Sequence, residues 1–251
     1  MSDEPLQYHI KMRTGDIGRY VLLPGDPGRV PLIASFFDEA WEVAHNREHR
    51  TFTGTLDGVK VSVTSTGIGG PSTAIALEEL IKIGGDTFVR VGTSGLMQPE
   101  TMTSGDLVVV SGAVRDEGTA THYMPMAFPA VADLDVIDCL RRACIEEGVG
   151  YHVGITHSKD SFYGEVQPER MPLADELQAR WRAWVIGGVL CSEMESAALF
   201  VICSILRKRA GGLMVAVKDS HPGVETVSRV AVAGLRQLIA MDRASGRLAE
   251  E

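Results

Sequence analysis

Between Lys60 and Gln98 the spacing of apolar residues changes period twice, and the changes lay out a β-α-β unit. Lys60-Val-Ser-Val-Thr-Ser-Thr66 alternates with a period of two, which puts like side chains on one face of a strand. Gly67-Ile-Gly-Gly-Pro-Ser72 breaks that run, and over 74–83 Ile75, Ala76, Leu80 and Ile83 recur at helical spacing with Glu78 and Glu79 on the other side. Gly84-Gly85 stops the helix. Thr87-Phe-Val-Arg-Val91 is then a second strand, running into a predicted small-residue loop, Gly92-Thr-Ser-Gly95. Each strand thus delivers the chain to a glycine turn at its carboxyl end, the edge at which open α/β sheets bind ligands.

The same periodicities predict strands over 20–23, 51–56, 106–111, 151–157 and 212–217, and helices over 133–147, 197–206 and from about Val227 onward, the last with Val227, Val230, Ala231, Gly234, Leu235 and Leu238 on one face. Ala44-His-Asn-Arg-Glu-His-Arg50 is polar enough to be expected as a solvated loop. The segments 116–132 and 158–170 are expected as loops, and the acidic tail after Met241 as frayed. Strands alternating with helices imply a single α/β domain with a mixed central β-sheet flanked by helices.

Length and charge narrow the function. At 251 residues, 45% hydrophobic and 23% charged, the chain supports one substantial core. A formal net charge of -9 argues against a nucleic-acid-binding surface, so an anionic substrate needs a local pocket of arginines. No apolar run reaches the length of a membrane span, and a soluble cytoplasmic protein is expected. Cys139, Cys144, Cys191 and Cys203 form no C-x-x-C pair and are expected reduced and mostly buried, and the histidines show no metal-ligand spacing.

Glycine at a strand end lets backbone approach a ligand, and the amides that open the next helix favour an anion. The plain alternative is a pair of tight turns that bind nothing. Gly67-Ile-Gly69 would need a glycine at 72 to complete a dinucleotide fingerprint and has Ser72, and no P-loop motif occurs. Arg90 favours the anion, because a guanidinium inside an apolar strand needs an anionic partner, whether a ligand or a structural carboxylate.

Thr66-Gly-Ile-Gly-Gly-Pro-Ser72, Phe88-Val-Arg-Val-Gly-Thr-Ser-Gly95 and Leu23-Pro-Gly-Asp-Pro-Gly-Arg29 together resemble the nucleoside phosphorylase family, uridine phosphorylases most closely, over nearly the whole chain. The resemblance implies phosphorolysis of uridine to uracil and ribose 1-phosphate, with inorganic phosphate as co-substrate and no organic cofactor. It gives phosphate to Gly25, Arg29, Arg90, Thr93 and a neighbouring subunit's Arg47, hence a dimer-based homo-oligomer, expected as a hexamer built of dimers. It gives the ribose to Glu193, Met194, Glu195 and a neighbour's His9, which read alone is an exposed polar residue. Glu193 and Glu195 read alone complement a helix dipole. Glu48, Ile68 and Ser72 match positions that hold a monovalent cation such as potassium in some members. Phe162, Gln167 and Arg170 are implied to bind uracil, although Gln167-Pro-Glu-Arg170 is one residue longer than the family's Gln-x-Arg. Catalysis would fall to Arg90, Gln167, Arg170 and Glu195. Asp219 matches a proton donor of bacterial purine nucleoside phosphorylases and keeps a purine substrate in view. A nucleosidase of the same fold and a non-catalytic nucleoside-binding protein stay open as well.

Overall fold

The computed structural model describes residues 4–218 and 223–248. In chain order its elements are β1 (Tyr20–Leu23), a 3-10 turn at Pro27–Arg29, α1 (Val30–Ala34), β2 (Glu39–Asn46), β3 (His49–Leu56), β4 (Val59–Thr64), α2 (Gly70–Lys82) and β5 (Thr87–Leu96). There follow β6 (Leu107–Asp116), a 3-10 turn at Thr119–His122, β7 (Ala130–Val131), α3 (Leu134–Glu146), β8 (Tyr151–Lys159), α4 (Phe162–Val166) and a 3-10 turn at Pro168–Arg170. The last are α5 (Ala174–Ile186), β9 (Cys191–Glu193), α6 (Ser196–Ile205), β10 (Arg209–Val217) and α7 (Val224–Ala244).

All the strands belong to one mixed sheet organised on β5. β10 runs parallel along one edge of β5 from Thr87 to Gly95. On the other edge β1 pairs in parallel only as far as Leu23 opposite Arg90, and β9 takes over, antiparallel, at Gly95. β10, β6, β8 and β9 lead back to β5, closing a circuit of strands, while β1, β4, β3 and β2 extend from it as a wing. The stretch between Arg90 and Gly95 is the fork where wing and circuit part.

Apolar periodicity explains the helical layers. One core joins α1, α3 and α7 to one face of the sheet through residues such as Ile33, Leu140, Val230 and Leu235, and a second joins α2 and α6 to the other through Leu77, Leu80, Leu199 and Phe200. The four cysteines are free and buried, and burial pushes the Cys139, Cys144 and Cys191 thiols up to about 11.

Several expectations are corrected. The small-residue loop at 92–95 is strand, because β10 pairs with β5 through Gly95 and β9 adds its own pairing there. The polar segment 44–50 is not a solvated loop but the arms of a hairpin, with Asn46 opposite His49 and a tight turn at Arg47 (φ 55°) and Glu48. Its polar residues are used against the backbone, where Asn46 Nδ2 donates to His9 O at 2.7 Å and His49 Nδ1 meets Ser65 O at 3.1 Å. The segment 158–170 carries α4 and a 3-10 turn, with Ser161 capping α4 through Gly164 N–H at 3.0 Å. Helix α5 has no counterpart in the periodicity, since none of its residues is buried. Helix α7 continues past Met241 to Ala244, with Asp242 buried.

Candidate active site

Two turns meet at the fork. Backbone bonds from Thr66 N to Pro24 O (2.9 Å) and Gly67 N to Gly25 O (3.0 Å) zip the segment after β1 against the segment after β4. Gly67 has φ +73°, and a Cβ there would lie 2.7 Å from both Glu48 Cγ and Ser72 Oγ, so only glycine closes this turn without strain. A Cβ on Gly25 would lie 3.2 Å from Gly67 O and 3.4 Å from Arg90 Nη1, which keeps the backbone beside a guanidinium. These turns, β5 from Arg90 to Gly95, the end of β8, α4 and the Ser192–Glu195 run enclose a cavity of about 630 Å³.

Its cationic end is built by Arg29 and Arg90. Asp26 accepts from Gly28 N at 2.8 Å and pins the 3-10 turn that presents Arg29, whose Nη1 lies 3.5 Å from Thr93 Oγ1. The Arg29 guanidinium is held below its ordinary pKa chiefly by burial, with the Arg90 charge adding to this against the nearby Asp26. Arg90 is 5% exposed. It donates from Nη2 to Glu195 Oε2 at 2.5 Å and from Nη1 to Leu23 O at 3.3 Å, and its Nε lies 3.9 Å from Glu193 Oε2 without a hydrogen-bond partner among the described residues. A phosphate is the ligand that two guanidiniums and a hydroxyl at one cavity end fit best.

The two glutamates divide their roles. Glu193 accepts from Ser158 Oγ and, through Oε2, from the N–H groups of Glu195 and Ser196, both at 2.9 Å, so it caps α6. Burial, and then the charge of Glu195, push its pKa above the ordinary carboxylate value. Glu195 accepts from Gly69 N at 2.7 Å through Oε1 and holds Arg90 through Oε2. Met194 lines the cavity between them.

A second charged group closes the other wall. Lys159 Nζ donates to Ser192 Oγ (2.7 Å) and pairs with Glu165 Oε2 (3.0 Å), Ser192 Oγ donates to the same oxygen (2.5 Å), and His157 joins the cluster to Asp116 at 3.1 Å. Burial would raise the Glu165 pKa, but His157, Lys159 and Ser192 outweigh it and hold the carboxyl below its ordinary value. Burial alone would lower the His157 pKa, but Asp116 and Glu165 raise it.

Gly25, Arg29, Glu48, Ile68, Arg90, Thr93, Phe162, Glu193, Met194 and Glu195 therefore border one cavity, and Lys218 joins them. Ser72 stands just behind, donating to Glu48 Oε1 at 2.9 Å. Gln167 and Arg170 stand outside it, bonded to one another on the 3-10 turn after α4. His9 is tied to Glu79 through Nδ1 at 2.7 Å, and Arg47 is exposed at the tip of the β2–β3 hairpin; neither borders this cavity. Asp219 lies outside the described residues. Sequence reasoning passed over Glu165 and Ser192 and left Lys159 without a role. The one available signal was charge at the end of a strand and within a segment already marked by Phe162.

Residues 19–241 match the family described as Phosphorylase superfamily. The chain is 46% identical to a uridine phosphorylase of Treponema pallidum over 94% of its own length and 95% of the relative's. It is 51% identical to one of Thermococcus kodakarensis over 84% and 76%. It is also 39% identical to a guanosine phosphorylase of Halorubrum lacusprofundi over 82% and 81%. With its fork of strands, paired arginines and family match over nearly all of its length, the chain belongs to the phosphorylase superfamily.

Proposed function

We propose that the chain catalyses phosphorolysis of uridine, and of related pyrimidine nucleosides, giving the free base and ribose 1-phosphate. The single observation that supports it most is that Arg29 and Arg90 share one end of the cavity with Glu195 beside them. Cleaving the glycosidic bond builds positive charge on the sugar and negative charge on the base, so groups that stabilise both accelerate the reaction. Phosphate, held by Gly25, Arg29, Arg90, Thr93 and the Arg47 of a neighbouring copy, attacks C1′ and offsets the sugar's charge. Glu195 takes the ribose hydroxyls, backed by Met194, with His9 of a neighbour at the 5′-hydroxyl. Glu193 supports them by fixing the start of α6. A phosphate that engages Arg90 loosens its bond to Glu195 and releases that carboxylate to the sugar, so phosphate and nucleoside aid each other's binding.

Phe162 packs on the base. Gln167 and Arg170 act in this reading by closing over the substrate, since they stand beyond the cavity wall. A monovalent cation such as potassium is proposed at Glu48, Ser72 and Ile68. The fit rests on two oxygens 2.9 Å apart and on a Glu48 carboxyl held below its ordinary pKa by its own backbone N–H and by Ser72. The reaction needs no organic cofactor. Its setting would be pyrimidine salvage and nucleoside catabolism in the cytoplasm, in a dimer-based assembly, a hexamer of three such dimers.

Release of uracil from uridine should require inorganic phosphate and survive a chelator of divalent metals; equal release in phosphate-free buffer would identify a hydrolase instead. The guanosine phosphorylase among the relatives favours one second reading, a 6-oxopurine substrate with Asp219 as proton donor. Faster turnover of inosine or guanosine than of uridine, abolished by Asp219→Asn, would establish that one.

A further inference from the structure

We propose that Glu79 is a positioning residue for His9. It fixes the imidazole with its proton on Nδ1 and so offers Nε2 as an acceptor to the 5′-hydroxyl of a nucleoside held by a neighbouring copy. The nucleoside rests on the phosphorylase reading; the pairing of Glu79 with His9 rests on geometry.

Residues 7–12 make a closed loop, with Gln7 N bonded to Met12 O at 2.8 Å, Lys11 N bonded to Gln7 O at 3.2 Å and Lys11 at φ 54°. Ile10 and Met12 anchor this loop in the core that holds Leu77 and Leu80 of α2. Glu79 belongs to the same helix, and although the spacing of apolar residues sets it opposite the apolar face, it is 8% exposed. Its carboxylate spends both oxygens on the loop. Oε2 accepts from the backbone N–H groups of His9 and Ile10, both at 2.9 Å, and Oε1 meets His9 Nδ1 at 2.7 Å. Burial would raise the Glu79 pKa, but the Ile10 N–H and the His9 ring and N–H outweigh it and hold the carboxyl below its ordinary value.

An ionised carboxylate only accepts, so the proton shared with the ring belongs to Nδ1. Nε2 of the neutral ring is then a bare acceptor whose lone pair is directed away from the bond at Nδ1. Among the described residues nothing donates to it, and the side chain keeps 27% of its surface exposed. Ile10 and the two backbone bonds suffice to anchor the loop. What the bond to Nδ1 adds is one tautomer and one orientation of an exposed base.

The same unit includes the hairpin of β2 and β3. Asn46 Nδ2 donates to His9 O at 2.7 Å, and Asn46 directly precedes Arg47 in the turn. The two groups that the proposed function places in a neighbour's cavity, one at the ribose and one at the phosphate, are thus fastened to each other, and Glu79 holds the pair to α2.

The test compares uridine with 5′-deoxyuridine, by calorimetric binding to the full chain without phosphate and as kcat/KM with it. Wild type should favour uridine in both. Glu79→Ala should lower kcat/KM for uridine about tenfold and leave that for 5′-deoxyuridine unchanged, and His9→Ala should lower the uridine value by the same factor, with the double variant losing no more. In Glu79→Gln the amide oxygen stays with the two backbone N–H groups and the NH2 faces Nδ1, so nitrogen NMR of the neutral ring should find its proton moved from Nδ1 to Nε2. Sedimentation and thermal melting check that each variant is assembled and folded. Equal losses on both nucleosides in a folded Glu79→Ala would make Glu79 a plain structural anchor and overturn the inference, as would losses that add in the double variant. A ring proton found on Nε2 in wild type, or still on Nδ1 in Glu79→Gln, overturns it without any kinetics. If wild type binds uridine over 5′-deoxyuridine and Glu79→Ala removes the preference, but no uracil is released with phosphate, the proposed function falls and the positioning role stands. If wild type phosphorolyses uridine and 5′-deoxyuridine alike, the reverse holds.

Discussion

Glu193 and Glu195 stand two residues apart at the start of α6 and differ in what they hold. Glu193 spends its oxygens on Ser158 and two backbone N–H groups, and Glu195 spends its own on Gly69 and Arg90. Glu195→Gln keeps the shape and weakens the charge-assisted bonds, so kcat/KM for uridine should fall at least about tenfold, the equivalent of roughly 1.4 kcal/mol, with folding retained. Glu193→Ala instead strands a hydroxyl and two amides, and should cost about 3 kcal/mol in denaturant unfolding. Unaltered kinetics in the first variant would return Glu195 to dipole complementation alone. Sequence made the acidic pair legible as a helix start, but which carboxylate caps and which faces a guanidinium depends on Arg90 and Ser158, far away in the chain. The same holds for Glu165: its partners Lys159, His157 and Ser192 come from β8 and β9, and only the sheet brings them together.

Elements were legible where burial follows a simple period, as in α2, α3, α7 and the apolar strands. They were misread where polarity serves the interior. The turn of the β2–β3 hairpin looked like a solvated loop because Asn46 and His49 spend their polarity on backbone carbonyls, and α5 escaped notice because none of its residues is fully buried. The end of α7 looked frayed because Asp242 is acidic, yet Arg209 holds it at 2.9 Å and Tyr20 donates to it at 2.6 Å. Helix α7 is therefore fastened to β10 and β1 by a buried ion pair. Asp242→Asn leaves Arg209 buried without its counter-charge and should cost about 3–5 kcal/mol in unfolding free energy, with kcat/KM of the folded enzyme unchanged. Burial would raise the Asp242 pKa, but Arg209 and then Tyr20 bring it below the ordinary 3.8. Its contribution is thus complete above that value and lost as pH falls through the lower folded one, so the variant should show a flatter acid limb in melting temperature than wild type.

At the scale of the whole molecule, assembly and acid sensitivity can both be measured. Tyr8 is 69% exposed, Trp41 48% and Ile68 76%, a large apolar outlay on the wing and beside the cavity. His9 and Arg47 stand away from their own cavity, and association would bring them to a neighbour's. Arg47→Ala and Arg90→Ala subunits, each inactive alone, should regain activity when mixed under conditions of exchange; a fully active monomer by sedimentation would contradict this. Glu79, Asp86, Asp116, Glu165 and Asp242 all lie below their ordinary pKa values, so the stability they confer is present above about pH 4 and lost in acid, while His157, raised above its ordinary 6.5, contributes below that value and ceases to as pH rises through its folded one. Melting temperature should therefore be highest between about pH 4.5 and 6.5 and decline on either side.

The circuit through β5, β10, β6, β8 and β9 leaves β2 as the one long sheet edge among the described residues. That edge is irregular, with a shift of register between Glu42 and Ala44, and it carries Glu39, Glu42 and His45. Copies of the folded chain are thereby denied a flat template on which to add strand to strand, and fibrous aggregation has to wait until the circuit itself opens.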